Sequence, residues 1–263
     1  MQLERAWSTG GKVYFCDYRD LENPQVAGKV SGNLISLVPA QLHELMKSPT
    51  AITALSEARG IFVGGAGMKS HLVDVSRSLN LPVCPCYGSS ETAGMITLLE
   101  SGSFLNGING VGSCLPHAEV RLSEKNHQVL IKSSSLCIRR GKRTFATNEW
   151  LQTPDFGKFD SFGNLIIEGR LDRLINTGGE KVDPTRIESV LHSTGLVENC
   201  LVYGVFDQKW GQRVVARVTP VDVNLKYLKQ EVKKKLQGPM MPKEWIKTDR
   251  IPMSEMGKPN FTL

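Results

Sequence analysis

The apolar positions in the first half of the chain fall into short runs separated by helical stripes. Residues 33–38 read as a strand stopped by Pro39, and residues 40–46 as a helix with Leu42, Leu45 and Met46 on one face. Residues 61–63 form a second short apolar run, and Gly64-Gly65-Ala66-Gly67 turns the chain. Residues 69–79 space Leu72, Val75 and Leu79 as the inward stripe of an amphipathic helix, and residues 81–83 close a β–α–β unit. This places Tyr87-Gly88-Ser89-Ser90-Glu91-Thr92 in a loop at the carboxyl end of a parallel strand, where open α/β sheets bind ligands. Residues 12–16 are the one strand-like run in the first 30, a stretch otherwise expected to pack poorly.

The period then changes. Residues 111–112, 118–122, 128–132 and 165–167 alternate or run apolar between Gly, Asn, Ser and Asp turns, which predicts short antiparallel strands. After Gly169 the chain becomes charged and glycine-bearing. A helix is expected at 184–192, with Pro184 early and Gly195 beyond its end. Strands follow at 200–205 and 213–218, then a helix at 225–236 with Leu225, Leu228, Val232 and Leu236 on one stripe. The expected fold is therefore mixed: an α/β sheet with a small β region over residues 1–169, and a small α+β unit over residues 170–263.

Composition narrows the class. With 263 residues, 40% hydrophobic and 22% charged, the chain has the profile of a soluble globular protein. No apolar run approaches the roughly 20 residues of a membrane span, and no secretory pattern opens the chain, so a cytoplasmic location is expected. The six cysteines are scattered with no zinc-type pairing, and are expected to be reduced thiols, mostly buried. The net charge of +6 is compatible with nucleic acid, a membrane surface or a polyanionic small molecule. One basic cluster is Arg139-Arg140-Gly141-Lys142-Arg143. The other, Lys226 to Lys235, has helical spacing opposite the apolar stripe and reads as a solvated face. No interleaved aromatics suggest a base-stacking platform, so nucleic acid is not an expected partner.

Candidate chemistry concentrates in the Tyr87 stretch. An aromatic ring can stack on a base, hydroxyls and main-chain N–H groups can meet phosphate oxygens, and Glu91 beside phosphates is the type of ligand Mg²⁺ takes. A polar turn is the plainer reading of the same six residues. The glycine turn departs from G-x-G-x-x-G at Ser70 and from the Walker pattern in the residue before Lys69, so it reads as backbone close to a flat ligand. Asp155, in Trp150-Leu151-Gln152-Thr153-Pro154-Asp155, could accept both hydroxyls of a ribose from a strand edge. On residue type alone it reads as a turn Asp before Phe156-Gly157.

Taken in order, Tyr87 to Thr92, Thr153/Asp155, 169–188 and Gly257-Lys258 resemble the acyl-adenylate-forming superfamily of acyl-CoA ligases, luciferases and adenylation domains. Ser36-Leu37-Val38-Pro39, Gly64-Gly65-Ala66, Leu115-Pro116-His117, Thr177-Gly178-Gly179-Glu180 and Trp210-Gly211-Gln212 look like its 2-succinylbenzoate–CoA ligases of menaquinone and phylloquinone biosynthesis. The resemblance implies ATP, Mg²⁺ and coenzyme A, with a small carboxylic acid as substrate. By position it implies Tyr87 stacked on adenine beside Gly65 and Ala66. Gly88, Ser90 and Thr92 would lie at the phosphates, Glu91 on Mg²⁺, and Asp155 and Arg170 on the ribose. Asp172 would be the hinge, Gly178 and Gly179 the loop facing the site during thioester formation, and Lys258 the adenylation lysine. Ser90 stands where the family usually has Thr, and Pro154 where it usually has Gly. The family's Ser/Thr/Gly-rich phosphate loop has no counterpart before Leu37, so the chain looks like the carboxyl-terminal portion of such a ligase: a fragment, a split product, a truncated gene model or a short relative. An inactive nucleotide-binding remnant is the rival of a different class.

Overall fold

Interior strands can be short when their residues are apolar, and the runs at 60–63 and 83–85 form such strands, while 34–37, with Ser36 and an exposed Leu34, forms the end strand of the same sheet. The computed structural model describes residues 2–137 and 149–251, with backbone alone at 2–5, 139–140 and 143–144. It divides into two units, Met1–Met68 with Leu72–Ile167, and Lys69–His71 with Glu168–Leu263.

In the first unit, α1 (Gln2–Thr9) and α2 (Pro24–Ala27) precede β1 (Leu34–Leu37), α3 (Pro39–Leu45), α4 (Pro49–Ser56), β2 (Gly60–Val63), α5 (Ser70–Ser78), β3 (Val83–Ser89), β4 (Gly94–Leu98), α6 (Ser101–Leu105) and β5 (Ser113–Cys114). The sheet order is β1-β2-β3-β4-β5. β1, β2 and β3 run parallel, with Leu37 opposite Val63 and Ile61 opposite Val83, so the expected β–α–β unit is present. Leu42, Leu55, Ile61 and Leu81 are fully buried beneath it, each worth about 1.5–3 kcal/mol of transfer free energy.

Three expectations change here. Residues 12–16 form no strand; their apolar side chains have no neighbouring strand to complete a ladder, and Tyr14 and Phe15 are exposed. The following stretch does pack, because Leu21, Ala27 and Val30 enter the core under the sheet. In α5 the inward face is Leu72, Val73 and Ser76, not Val75, and Leu79 joins it just past the helix end. Ser76 is fully buried because its hydroxyl donates to the Leu72 carbonyl at 2.7 Å, which satisfies the group locally. Arg77, next on the helix, donates to the carbonyls of Phe104 (2.8 Å) and Ile108 (2.7 Å) and closes the end of α6.

The second sheet follows the alternating segments. β6 (Ala118–Leu122), β7 (Gln128–Ser133), the short β8 (Arg139–Arg140) and β9 (Arg143–Thr144), β10 (Leu151–Phe159) and β11 (Leu165–Arg170) complete the series. Four of them form a sheet in the order β11-β10-β7-β6, and β8 and β9 form a ribbon of their own. Val129, Ile131, Leu151 and Leu165 supply its buried face. The run at 111–112 lies just before β5 rather than in a strand.

The second unit contains β12 (Ile175–Thr177), β13 (Glu180–Val182), α7 (Pro184–His192), β14 (Asn199–Asp207), β15 (Gly211–Thr219), α8 (Leu225–Lys233) and β16 (Glu244–Lys247). Its sheet runs β13-β12-β15-β14 with β16 parallel to β15. Ile187 and Leu191 of α7 and Leu228 and Val232 of α8 are fully buried against it. The bounds of α7 coincide with those expected, because Asp183 caps its start on the Thr185 N–H (2.9 Å) and Pro184 opens it. α8 ends three residues early at Lys233, although Leu236 remains buried.

β14 is an edge strand among the described residues, and on its open side the main chain of the buried Val202 is capped by an ion pair. Glu188 accepts from the Val202 N–H at 2.9 Å and from Arg173 Nη2 at 2.6 Å, while Arg173 Nη2 also donates to the Val202 carbonyl at 3.3 Å. The pair thus satisfies both groups that a further strand would bond. Nearby, Cys200 Sγ lies 3.3 Å from His192 Nε2. Burial pushes the thiol up to about 12 and draws the imidazole down to about 4, so both are neutral at pH 7. Of the six cysteines only Cys84 and Cys200 are buried, with Cys16 and Cys114 exposed, so the expectation of mostly buried thiols is not met.

Two outcomes follow from these contacts. Glu188→Ala leaves the guanidinium and the Val202 N–H unmatched, and should lower the stability of the second unit by about 2–4 kcal/mol. Urea unfolding followed through Trp210 and Trp245, with hydrogen exchange at the Val202 amide, measures this; an unchanged midpoint and unchanged protection would refute the capping role. For His192 the folded value is depressed below the ordinary 6.5. Its contribution is therefore whole above 6.5 and is lost as pH falls toward 4, because the unfolded chain takes up the proton first. His192→Gln should flatten the loss of melting temperature between pH 7 and 4.5, and a parallel pH profile in both proteins would contradict it.

Candidate nucleotide-binding site

β3 changes partner halfway along. Its first half runs parallel to β2, ending at the Val63–Pro85 pair, and its second half is antiparallel to β4, with Tyr87 opposite Thr97. Tyr87 and Gly88 are therefore strand residues, not loop residues as expected. The register slips between Tyr87 and Gly88, where β4 carries Ile96 as an extra, fully buried residue. Gly88 is needed for closeness rather than flexibility: a Cβ there would collide with the Gly94 carbonyl.

The chain then turns through Ser90-Glu91-Thr92. Thr92 is buried, and its hydroxyl accepts from the Ser89 N–H at 2.9 Å and donates to the Gly94 carbonyl at 2.7 Å. Its side chain braces the turn, so only its main chain is available to a ligand, which narrows the role expected for it. Ser90 is exposed and Glu91 half-buried. The turn is clamped from the second sheet: the Cys137 N–H donates to the Glu91 carbonyl at 2.7 Å, and the Ser135 hydroxyl to the Thr92 carbonyl at 2.8 Å. Sequence reasoning missed Ser135 and Cys137, which carry no motif.

The glycine turn lies against the neighbouring strand. A Cβ at Gly64 would stand 2.8 Å from Cys86 Sγ, and Gly65 has φ +83°. Gly64 thus brings the start of the glycine turn, at the end of β2, against Cys86, the residue before Tyr87.

Asp155 sits inside β10, an interior strand, and not in a turn or on a strand edge. Gln152 pairs with Leu130 and Phe156 with Gln128, so residues 153–155 bulge opposite Val129 alone. Pro154 has no N–H for the ladder. Thr153 bridges the gap, donating to the Val129 carbonyl (2.9 Å) and accepting from the Asp155 N–H (3.2 Å). The bulge re-aims Asp155, whose Oδ2 accepts the Tyr87 hydroxyl at 2.6 Å, a charge-assisted distance. Two residues 68 apart in the chain thereby meet. One buried polar atom is unpaired beside them: Ser89 Oγ has no hydrogen-bond partner among the described residues.

The remaining candidates belong to the second unit or lie beyond the described residues. Arg170 holds Asp172 through two bonds, Nε to Oδ1 at 3.0 Å and Nη2 to Oδ2 at 2.6 Å. Gly178 and Gly179, with φ +61° and +84°, make the turn between β12 and β13, where the Gly178 N–H donates to the Trp210 carbonyl at 2.9 Å. Lys258 and Gly257 lie outside the described residues. No group of three or more metal-ligating side chains occurs among the described residues. A magnesium ion bound mainly through phosphate oxygens needs only one or two carboxylates, and the half-buried Glu91, two residues after Ser89 with its unpaired buried hydroxyl, fits that requirement in residue type. No helix among the described residues is long and apolar enough to cross a membrane.

Comparison with known proteins places the chain among ligases and AMP-binding enzymes. A 2-succinylbenzoate–CoA ligase of Listeria monocytogenes is 29% identical over 238 residues, covering 88% of this chain and 50% of that protein. An indoleacetate–CoA ligase of Aromatoleum aromaticum is 26% identical over 243 residues, covering 86% and 48%. The chain thus spans about half the length of the curated relatives it matches. Among solved structures, the o-succinylbenzoate CoA synthetase of Bacillus subtilis in complex with its acyl-adenylate intermediate superposes with a TM-score of 0.82 at 24% identity, over 98% of this chain and 56% of that one. The sequence model of the AMP-binding enzyme C-terminal domain matches residues 186–258. The model of AMP-binding enzymes itself matches residues 2–141, the region that holds the glycine turn and the Tyr87–Thr92 stretch, and the chain belongs to that family.

Proposed function

We propose that this chain serves an AMP-forming acid–thiol ligase, which activates a carboxylic acid as its acyl-adenylate and passes the acyl group to coenzyme A. The Tyr87–Asp155 hydrogen bond of 2.6 Å carries the reading, because it joins an aromatic plate and a ribose-type acceptor at one place. In the first half-reaction a carboxylate oxygen of the acid attacks the α-phosphorus of ATP, and the bond to the departing pyrophosphate breaks. In the second, the coenzyme A sulfur attacks the acyl carbon, and AMP leaves with the C–O electron pair.

Each residue has a defined task in this scheme. Tyr87 supports the adenine ring, with Gly65 and Ala66 admitting the base close to the main chain. Asp155 and Arg170 accept and donate at the ribose. Gly88, Ser90 and the Thr92 main chain face the phosphates. Glu91 would hold Mg²⁺, which when bound neutralises phosphate charge. Lys258 offers an ammonium where negative charge grows on the phosphoryl oxygens. Asp172 acts as the hinge after which Gly178 and Gly179 serve thioester formation. The acid we favour is 2-succinylbenzoate, supported by the relatives of that name. The indoleacetate ligase, at comparable identity, supports a second reading in which another aryl or acyl acid is used. ATP-dependent thioester formation with a panel of these acids decides between them, and no turnover with any acid would favour an inactive nucleotide-binding remnant.

Binding of AMP to the chain tests the site. Tyr87→Ala should weaken it about tenfold or more, since base–aromatic stacking contributes about 1–3 kcal/mol. Tyr87→Phe, which keeps the ring and releases Asp155, should change it by no more than a few-fold. Asp155→Ala should cost roughly tenfold to a hundredfold through lost charge-assisted bonds. Equal affinities across the three variants in calorimetric titration would place the nucleotide elsewhere.

Lys258 separates the half-reactions. In a chain complemented for full activity, Lys258→Ala should slow adenylate formation by roughly 10²–10³-fold, the scale of one electrostatic stabiliser. Thioester formation from a presynthesised acyl-adenylate should be spared. Equal loss in both steps would assign Lys258 a general binding role instead.

A further inference from the structure

β4 begins at Gly94, just past the Ser90–Thr92 turn, and ends at Leu98, where the first unit holds a cavity of about 280 Å³. At about 3.4 Å per residue the cavity lies roughly 14 Å along the strand from Gly94. Its volume is just under the range of ordinary ligand pockets, about 300–1,000 Å³, and suits a ligand of a few heavy atoms. Three segments wall it: the end of β4 with the start of α6, then β5, and the turn that carries Asn164 before β11.

Main-chain bonds fix all three. Leu98 pairs with Ser113. The Leu99 N–H donates to the Pro85 carbonyl at 2.9 Å, and the Leu115 N–H to the Ile96 carbonyl at 2.8 Å. The Val111 N–H donates to the Leu165 carbonyl and the Leu165 N–H to the Gly112 carbonyl, each at 2.8 Å, which ties the Asn164 turn to the start of β5. The cavity is therefore preformed, and a ligand need not order its walls.

The polar part of the wall is built of acceptors. The Glu100 carboxylate and the Ser103 and Ser113 hydroxyls have no hydrogen-bond or ionic partner among the described residues. The Asn164 amide donates to Asp160 Oδ2 at 3.0 Å, which leaves its own carbonyl oxygen unbonded. No Lys, Arg or His lines the cavity, so no cationic side chain is there to hold an anion. Among the described residues no three metal-ligating side chains gather, so the single carboxylate does not make a metal site. Leu98 and Leu115 add an apolar surface. A primary ammonium suits this set. It has three donors and no acceptor, so a carboxylate, an amide oxygen and a hydroxyl can each take one, with the alkyl chain against the leucines.

We propose that this cavity is a binding subsite for a primary alkylammonium group, carried by a small aliphatic amine or by a lysine side chain.

n-Butylammonium chloride, titrated into the whole chain and followed through amide chemical shifts, is the probe. A cation of this size in a preformed site should bind with a dissociation constant of about 1 mM. The shifts should concentrate at residues 98–103, 113–115 and 164. Glu100→Gln keeps the size of the side chain and removes its charge. It should weaken binding at least about fivefold, the scale of a charge-assisted bond at an exposed group. Its spectrum away from the cavity should match that of the unaltered chain, which guards against loss through misfolding. Glu57→Gln removes an equal charge elsewhere and should leave the affinity unchanged. Tetramethylammonium, which has the charge but no N–H, should bind at least about tenfold more weakly. Nα-acetyl-lysine amide separates the sources: affinity equal to that of n-butylammonium supports the proposal with a lysine side chain as the ligand, and exclusion of this bulkier molecule supports it with a free amine. No shift at these residues with n-butylammonium at about tenfold the expected constant overturns the proposal. So do equal binding of tetramethylammonium, an unchanged affinity in Glu100→Gln, and an equal loss in Glu57→Gln.

Discussion

The change of partner within β3 is the constraint on which the first unit depends. A strand that is parallel to β2 for three residues and antiparallel to β4 for the next four must twist sharply, and Gly88 permits it by letting the Gly94 carbonyl approach. The twist carries Tyr87 out of the α/β layer to the bulge of the second sheet. The Ser90–Thr92 turn follows immediately, and its geometry is held by main-chain bonds to Thr92, Ser135 and Cys137 rather than by its own propensity. Adding a Cβ at Gly88 would therefore disturb the register of β4, the turn and the Tyr87–Asp155 contact together.

The sequence was most legible where apolar periodicity and punctuation agreed. α7 has Asp183, Pro184 and a buried stripe through Ile187 and Leu191, and its bounds were readable to the residue. The parallel order of β1, β2 and β3 followed from short apolar runs around one amphipathic helix. What escaped reading was set by tertiary bonds. Ser76 looked polar, but its hydroxyl is satisfied within its own helix, so it could enter the core. Asp155 looked like a turn residue because Pro154 and Gly157 flank it. Thr153 and the bulge convert that signal into an interior strand, and no local pattern announces Val129 as the partner. The run at 12–16 had strand composition and found no neighbour.

Within the candidate site, the residues quoted from the family resemblance divide by physical type. Tyr87 and Asp155 were found as side chains that touch. Gly88, placed by the resemblance at the phosphates, serves the close approach of the Gly94 carbonyl. Thr92 proved to be a brace, which residue type could not reveal because a hydroxyl near a phosphate motif reads equally well as ligand or as cap. The clamp from Ser135 and Cys137 was invisible, since main-chain acceptors such as the Glu91 carbonyl leave no trace in composition.

Under the proposed function, this division would let one scaffold accommodate different acids. Several contacts that shape the Tyr87–Thr92 segment are made by main chain or by a residue turned inward: Gly88 against Gly94, Thr92 on Ser89 and Gly94, Cys137 on Glu91. None of these groups is a side chain left open to a ligand. Under the proposed function, activation then rests on this backbone geometry, and acid choice on residues that the motifs do not constrain. Relatives named for indoleacetate and for 2-succinylbenzoate accordingly match this chain at 26% and 29% identity over nearly the same span. A hydrophobic pocket discriminates between acids by only about 1–3 kcal/mol per methylene, a difference that a few wall substitutions supply without touching the bonds that hold Tyr87 on Asp155.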